Sequence, residues 1–307
     1  MACISREAFE ADLRACVGEG AMLVDEPMAR HTTFKVGGPA EWLVAPCEEC
    51  QIVRVVELCR DAGVALRVLG RGSNVLVADA GVRGVVLEIG RRFARIDVQG
   101  ARIVAQAGAS LAAVADAAFA QGLAGFEFAR GIPGTIGGAA IMNAGAYGDE
   151  FKDVARSVRC LAPDGRVLDV SAEEAAWGYR RSMMGDRGYI VLAATIELRE
   201  GDPVAIRGRM DDLARRRAEK QPLELPSAGS TFKRPEGHFA GKLIQDTGLR
   251  GYRVGGAQVS EKHAGFVVNR ENATAADIRQ VIADVQERVR DASGVTLEPE
   301  VRLWGFE

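Results

Sequence analysis

The chain has 307 residues, 48% of them apolar, a net charge of −3 and a pI near 5.8. That length predicts two or three compact modules with real cores, and the charge balance excludes a general basic footprint for nucleic acid and a polybasic membrane patch. No apolar run reaches the ~18 residues of a membrane span, and Arg6, Glu7 and Glu10 stand where a signal peptide needs an apolar core, so a cytoplasmic protein is expected.

In chain order, Ser5 opens an amphipathic helix to about Val17, and His31 to Trp42 reads as strand with a turn at Gly37-Gly38-Pro39. Cys47-Glu-Glu-Cys50 reads as the start of a helix over 51–62 that Gly63 ends. The six cysteines, at 3, 16, 47, 50, 59 and 160, contain one C-x-x-C pair, and the histidines are only His31, His238 and His263, so reduced thiols are expected and no metal site. Strands follow at 64–69, 75–77, 85–89 and 103–107. Ser110 then caps a helix with Leu111, Val114, Ala115, Ala118 and Phe119 on one face, which Gly122 ends.

Pro163-Asp164-Gly165 between two apolar runs signals a hairpin, and Ser171-x-x-Glu174 is a capping box for a very short helix stopped at Gly178. A cationic connector, 179–182, leads to a strand over 189–198. Asp202-Pro203 opens a helix that buries Ile206, Met210 and Leu213, exposes Arg215 to Arg217, and stops at Pro222. Ser227 to Lys233 is a tight polar turn. Thr274 caps a long helix with Ile278, Val281, Ile282, Val285 and Val289 on one side, closed by Gly294. The last run, 295–304, reads as a strand with Glu298, Glu300 and Arg302 on one face and Leu297, Val301 and Leu303 on the other. These boundaries divide the chain into modules 1–80, 81–202 and 203–307.

The most informative stretch is Gly131 to Gly148, eighteen residues with six glycines and no charge. Glycine permits close backbone approach, and an uncharged surface suits a flat cofactor ring. Upstream, Gly70-Arg71-Gly72-Ser73-Asn74 sits between apolar runs as a strand-turn-strand whose amides can form an anion-binding nest. Together the two suggest a bound dinucleotide. Neither is a Rossmann fingerprint, because the third glycine and the following helix are missing after Gly72, and Gly237-x-x-x-Gly241-Lys242-Leu243 fails the P-loop spacing and its final Ser or Thr.

Seven motifs lie in order along nearly the whole chain: R-G-S-N-V-L-V (71–77), G-I-P-G-T-I-G-G-A (131–139), N-A-G-A-Y-G (143–148), Y-R-R-S (179–182), A-G-S-T-F-K (228–233), V-S-E-K-H-A (259–264) and L-E-P-E-V-R (297–302). Together they resemble the UDP-N-acetylenolpyruvoylglucosamine reductase family. The resemblance implies an α+β protein with an FAD-binding fold of the vanillyl-alcohol-oxidase type. Two α+β subdomains, 1–80 and 81–202, would hold the flavin, and a C-terminal α+β substrate domain, 203–307, would complete it. The family also has a longer form with a tyrosine-bearing loop over the substrate; this chain, short between Leu168 and Asp202, resembles the form without it.

Carried onto these positions, the resemblance implies FAD contacts from Arg71, Gly72, Ser73 and Asn74, from Gly131, Ile132, Gly134, Thr135, Gly137, Gly138 and Ala139, and from Asn143 and Tyr147. It implies NADPH as reductant and UDP-N-acetylglucosamine enolpyruvate as the small-molecule substrate, bound by Lys220, Lys233, Lys262, His263 and Arg302. Reducing an enolpyruvyl ether calls for a hydride at the vinyl carbon, a cation for the developing charge, and a proton donor. By resemblance Arg180 is the cation, Glu300 its carboxyl partner and Ser230 the donor. A hydrogen-bonding Glu300 needs to be protonated, through burial or the neighbouring Glu298, and an acidic Ser230 needs nearby lysines or backbone donors, with Lys233 and Lys262 as candidates. Arg234 stands where relatives often have Asn. Two other functions fit the glycine segments alone: a flavin-dependent oxidase or dehydrogenase of the same fold, and a non-enzymatic UDP-sugar binding protein.

Overall fold

The computed structural model describes residues 5–306. Contacts between residues divide the chain into two compact units that interleave along the sequence. One comprises Met1–Leu23, Trp42–Gly70 and Gly84–Arg216; the other comprises Val24–Glu41, Arg71–Arg83 and Arg217–Glu307. The consecutive spans 1–80, 81–202 and 203–307 remain a proposal about subdomains.

The first unit is built on a five-stranded antiparallel sheet, in the order Val167–Ser171, Ala155–Leu161, Ile190–Glu197, Arg102–Gln106 and Ile96–Gln99. The hairpin expected around Asp164 forms its outer pair. A short helix, Ile136–Met142, packs on the sheet at Ile190–Glu197. Gly137 makes this approach possible: a Cβ there would lie 3.0 Å from Ala107 Cβ. Arg6–Val17, Glu49–Ala62 and Leu111–Ala120 are helices as expected, with Ser5 and Ser110 capping the first and third and Gly63 ending the second in the left-handed conformation. Burial pushes the Cys59 and Cys160 thiols up to about 12, which removes both as nucleophiles near neutrality. Cys16, Cys47 and Cys50 are free thiols too, and Cys3 lies outside the described residues.

The second unit packs the helix Ala275–Ser293 on a three-stranded sheet, Arg253–Val254, Ala257–Val259 and Val267–Asn269, burying Ile278, Val281, Ile282, Val285 and Val289. Phe34, Val36, Leu76, Phe232, Leu297 and Val301 belong to the same apolar cluster. The helix has an unusually complete N-terminus. Asp79 accepts from the Ala275 and Ala276 amides at 2.8 and 2.9 Å, and Thr274 Oγ1 accepts from Asp277 at 3.0 Å, so three amides that a helix leaves unpaired are satisfied.

Three readings of the sequence are corrected. Residues 31–38 are a turn, not strand: Thr32 Oγ1 donates to Val36 O at 2.8 Å and Lys35 has φ 59°, while strands run Met22–Pro27 and Pro39–Val44 instead. The expected strands on either side of the 70–74 turn form, and their partners are remote: Leu66–Leu69 pairs in parallel with 85–88 and Val75–Val77 in parallel with Arg302–Trp304. The capping box at Ser171 and Glu174 forms, but only a turn follows it. The final strand is confined to Arg302–Trp304, and Leu303 is 41% exposed because a two-stranded pair covers only one of its faces. The helix inside the glycine segment went unread. Among the described residues no helix is long and apolar enough to cross a membrane, and no group of three His, Cys, Asp or Glu side chains could hold a metal.

The double capping makes a measurable claim. Asp79→Ala should cost about 1–3 kcal/mol in urea denaturation, since charge-assisted bonds to two helix amides are lost together, and Asp79→Asn should recover part of that.

Candidate active site

The glycine segment ends in a support for Arg180. Thr135 Oγ1 caps the helix Ile136–Met142 by accepting from Gly138 at 3.3 Å, and Asn143 closes it with φ 44°. A helix leaves its last carbonyls without partners inside the helix. Here Trp177 Nε1 donates to Ala140 O at 2.7 Å and Ser182 Oγ donates to Ile141 O at 2.8 Å. Between these anchors Gly178 and Arg181 exchange backbone bonds of 3.1 and 3.4 Å, forming a two-residue hairpin loop of Tyr179 and Arg180.

Arg180 has φ 54°, a left-handed conformation that glycine or asparagine adopts readily and that costs other residues about 1–2 kcal/mol. Strain over-determined by its surroundings is a mark of functional positions. The guanidinium carbon lies 5.4 Å from the centre of the Tyr179 ring, and Nε is shielded from solvent. Tyr147 is left-handed as well, at φ 60°, and its hydroxyl donates to Leu213 O at 3.5 Å. Asn143 is fully buried: its Nδ2 donates to Glu150 Oε2 and to Gly178 O, both at 3.1 Å, and its Oδ1 accepts from the Lys152 amide at 3.0 Å. Its carboxamide is thus committed to the protein's own groups.

The second unit holds the other candidates. Gly72 has φ 61°, and a Cβ on it would lie 2.0 Å from His31 O, so only glycine fits against the 31–36 turn. Gly72 O accepts from the Thr33 amide at 3.0 Å. Asn74 Nδ2 donates to Glu300 O at 3.2 Å, and the Arg302 amide donates to Asn74 O at 3.1 Å. Opposite, Glu300 N donates to Thr231 O at 2.8 Å and Lys233 N to Glu298 O at 2.9 Å, with Phe232 facing Pro299. Ser230, exposed after the left-handed Gly229, therefore lies on one side of a short ladder and Glu300 on the other.

Two of the cations expected to meet substrate, Lys233 and Lys262, have partners already. Lys233 Nζ pairs with Glu298 at 2.5 Å, so Glu298 is not the unscreened like charge assigned to it beside Glu300. Lys262 Nζ donates to Ala218 O at 2.6 Å and lies 3.9 Å from Glu224. His263 accepts from Gly265 through Nδ1 at 3.1 Å, and burial pushes its pKa down, so it is a neutral group and not a cation near neutrality. Lys220 and Arg302 are exposed. Arg180 belongs to the first unit and Ser230 and Glu300 to the second.

Each unit, taken by itself, offers backbone amides of the kind that suit a phosphate. Among the described residues those of Arg71, Gly72 and Ser73, and those of Gly131 and Gly134, donate to no protein acceptor. The amides of Ile132, Gly137, Gly138 and Ala139 are used internally, on Ala129 O, Ala107 O, Thr135 Oγ1 and Thr135 O, so those residues can meet a ligand only through carbon or carbonyl. Unused amides beside the exposed Arg71 are the chemistry a diphosphate needs, and the residues present fit FAD. Sequence reasoning missed Glu150, Trp177 and Ser182 as parts of the site. A half-buried indole N–H usually finds an acceptor, and Trp177 was the available signal.

Residues 40–171 match the family described as FAD binding domain, and residues 221–304 match UDP-N-acetylenolpyruvoylglucosamine reductase, C-terminal domain. The chain is 50% identical over 287 residues to the UDP-N-acetylenolpyruvoylglucosamine reductase of Clostridium perfringens (strain SM101 / Type A), covering 94% of both chains. It is likewise 50% identical over 282 residues to the reductase of Clostridioides difficile (strain 630), covering 92% of this chain and 93% of the other. The crystal structure of the reductase from Thermus caldophilus aligns with a TM-score of 0.79 at 34% identity, over 92% of this chain and 98% of that one. The expected α+β architecture, an FAD-binding domain followed by a C-terminal domain, holds. Two family matches that share out the chain, and half-identical relatives along nearly all of it, agree: the chain belongs to the UDP-N-acetylenolpyruvoylglucosamine reductase family of FAD-dependent oxidoreductases.

Proposed function

We propose that the protein reduces UDP-N-acetylglucosamine enolpyruvate to UDP-N-acetylmuramate for peptidoglycan synthesis in the cytoplasm, with NADPH as electron source. The observation that carries this reading is the ladder joining the Ser230 turn to Glu300 and, through Asn74, to the unused amides at 71–73, within a member of this reductase family. One ladder thereby joins a proton donor and a carboxyl to a phosphate-binding loop.

FAD, once reduced by NADPH, would supply the hydride for the terminal vinyl carbon of the substrate. Negative charge then develops on the carbon beside the substrate carboxylate. Arg180, always charged and held by its hairpin, stabilises that charge. Glu300, protonated, hydrogen-bonds the same developing oxyanion, and Ser230 gives its hydroxyl proton to the carbon. Lys233 on the same turn favours the transient alkoxide once substrate competes for its pairing with Glu298. Lys220, Lys262 and Arg302 meet the diphosphate and carboxylate, and His263 contributes as a neutral hydrogen-bonding group. Residues 71–74 and 131–139, with Tyr147, would hold the FAD. NADPH and substrate use one pocket in turn, which gives parallel-line kinetics.

The anaerobic visible spectrum tests this reading first. Holoprotein reduced with NADPH and mixed with UDP-N-acetylglucosamine enolpyruvate should regain its oxidised flavin band at once; a band that returns only when oxygen enters would favour an oxidase of the same fold. Ser230→Ala should slow that reoxidation roughly 10²–10⁴-fold and leave reduction by NADPH within about twofold. Arg180→Lys keeps the charge but not the planar fork, and should slow reoxidation roughly 10–10²-fold in the same assay.

A further inference from the structure

We propose that Glu150 is a positioning residue for Arg180, its carboxylate and the Asn143 carboxamide together fixing where the guanidinium stands. The inference rests on Arg180 being the cation of the reaction. Asn143 uses its two N–H groups on Glu150 Oε2 and on Gly178 O, each at 3.1 Å. Gly178 is the residue at which the Tyr179-Arg180 loop closes, so one side chain joins the carboxylate to the base of the turn.

Glu150 is itself held from several sides. Lys152 Nζ lies 2.6 Å from Oε2, the Lys152 amide donates to Asn143, and the Glu150 amide donates to Asp153 at 2.7 Å. The titratable groups facing it are Lys152, on its own segment, and Arg180, on the hairpin. Bonds from Lys152 and Asn143 and the Arg180 charge hold its carboxyl below the usual carboxylate range, so it is ionised across neutral pH. An anion on which the Arg180 charge acts adds a preferred direction for the long arginine side chain to what the left-handed backbone fixes. Such support acts through Arg180 and needs no contact with substrate.

Glu150→Gln keeps shape and the acceptor for Asn143 while removing charge, and Glu150→Asp keeps charge at shorter reach. The test uses holoenzyme with arginine labelled by ¹⁵N. In the parent protein the Nε–H signal of Arg180, identified by its absence from Arg180→Lys, should exchange slowly with water; in Glu150→Gln it should exchange at least roughly tenfold faster, at unchanged flavin content and far-ultraviolet circular dichroism. Flavin reduced anaerobically by stoichiometric dithionite and mixed with enolpyruvyl substrate should reoxidise roughly 10–10²-fold more slowly in Glu150→Gln, with partial recovery in Glu150→Asp. In the double variant Glu150→Gln with Arg180→Lys, reoxidation should be no slower than in Arg180→Lys alone. Unchanged exchange and reoxidation in Glu150→Gln, or effects that multiply in the double variant, overturn the proposal. Full-speed reoxidation in Arg180→Lys and Arg180→Ala would instead remove Arg180 from the reaction, a failure of the parent reading that the exchange measurement does not share.

Discussion

The second unit depends on one pairing. Val75–Val77 and Arg302–Trp304 lie side by side in parallel, and the hydrogen bonds of Asn74 extend that register to Glu300, 226 residues away in sequence. Parallel neighbours need a long connection, and this connection runs through the first unit's sheet before it returns. The benefit is geometric. The loop 71–74 and the acid-bearing run 298–300 are not two loops that happen to meet; each supplies the hydrogen-bonding edge of the other. The Ser230 turn is added on the far side by Thr231 and Lys233. A change that shifts any of the three runs shifts the others with it.

The first unit uses a different device for the same end. The helix Ile136–Met142 is too short to be stable by propensity, and two of its seven residues are glycine. What holds it is capping at both ends and packing on the sheet: Thr135 at the start, Asn143 at the finish, and Trp177 and Ser182 on carbonyls that would otherwise be bare. Those carbonyls are not a weakness to be hidden. They are the docking points of the Arg180 hairpin.

Much of this was legible from residues with fixed local meaning. Ser5, Ser110, Thr274 and Gly63 marked helix ends because cap chemistry is decided within a few residues, and Asp164-Gly165 marked a hairpin for the same reason. The errors came where partners are remote. The alternation His-Thr-Thr-Phe-Lys-Val at 31–36 imitates a strand, yet its hydrogen bonds go to Gly72 and back onto itself. Nothing local to the run around Gly72 says that Val75–Val77 pairs with residues above 300. Glycine was read as room for a ligand throughout 131–139; at Gly137 the room is taken by Ala107. Periodicity and spacing alone did not connect the site residues, because Arg180 and Glu300 owe their places to carbonyls and amides that the sequence does not distinguish.

The left-handed arginine has a consequence for how this protein can be improved. A residue that sits in a glycine conformation is where a search for thermal robustness finds an easy gain, because glycine would relieve strain of about 1–2 kcal/mol at Arg180. Stability-guided redesign, blind to charge, would select that exchange early and with it discard the guanidinium. Under the role proposed for Arg180, the gain in robustness and the loss of the cation are one substitution, and ranking variants by melting temperature would rank an impaired enzyme above the working one.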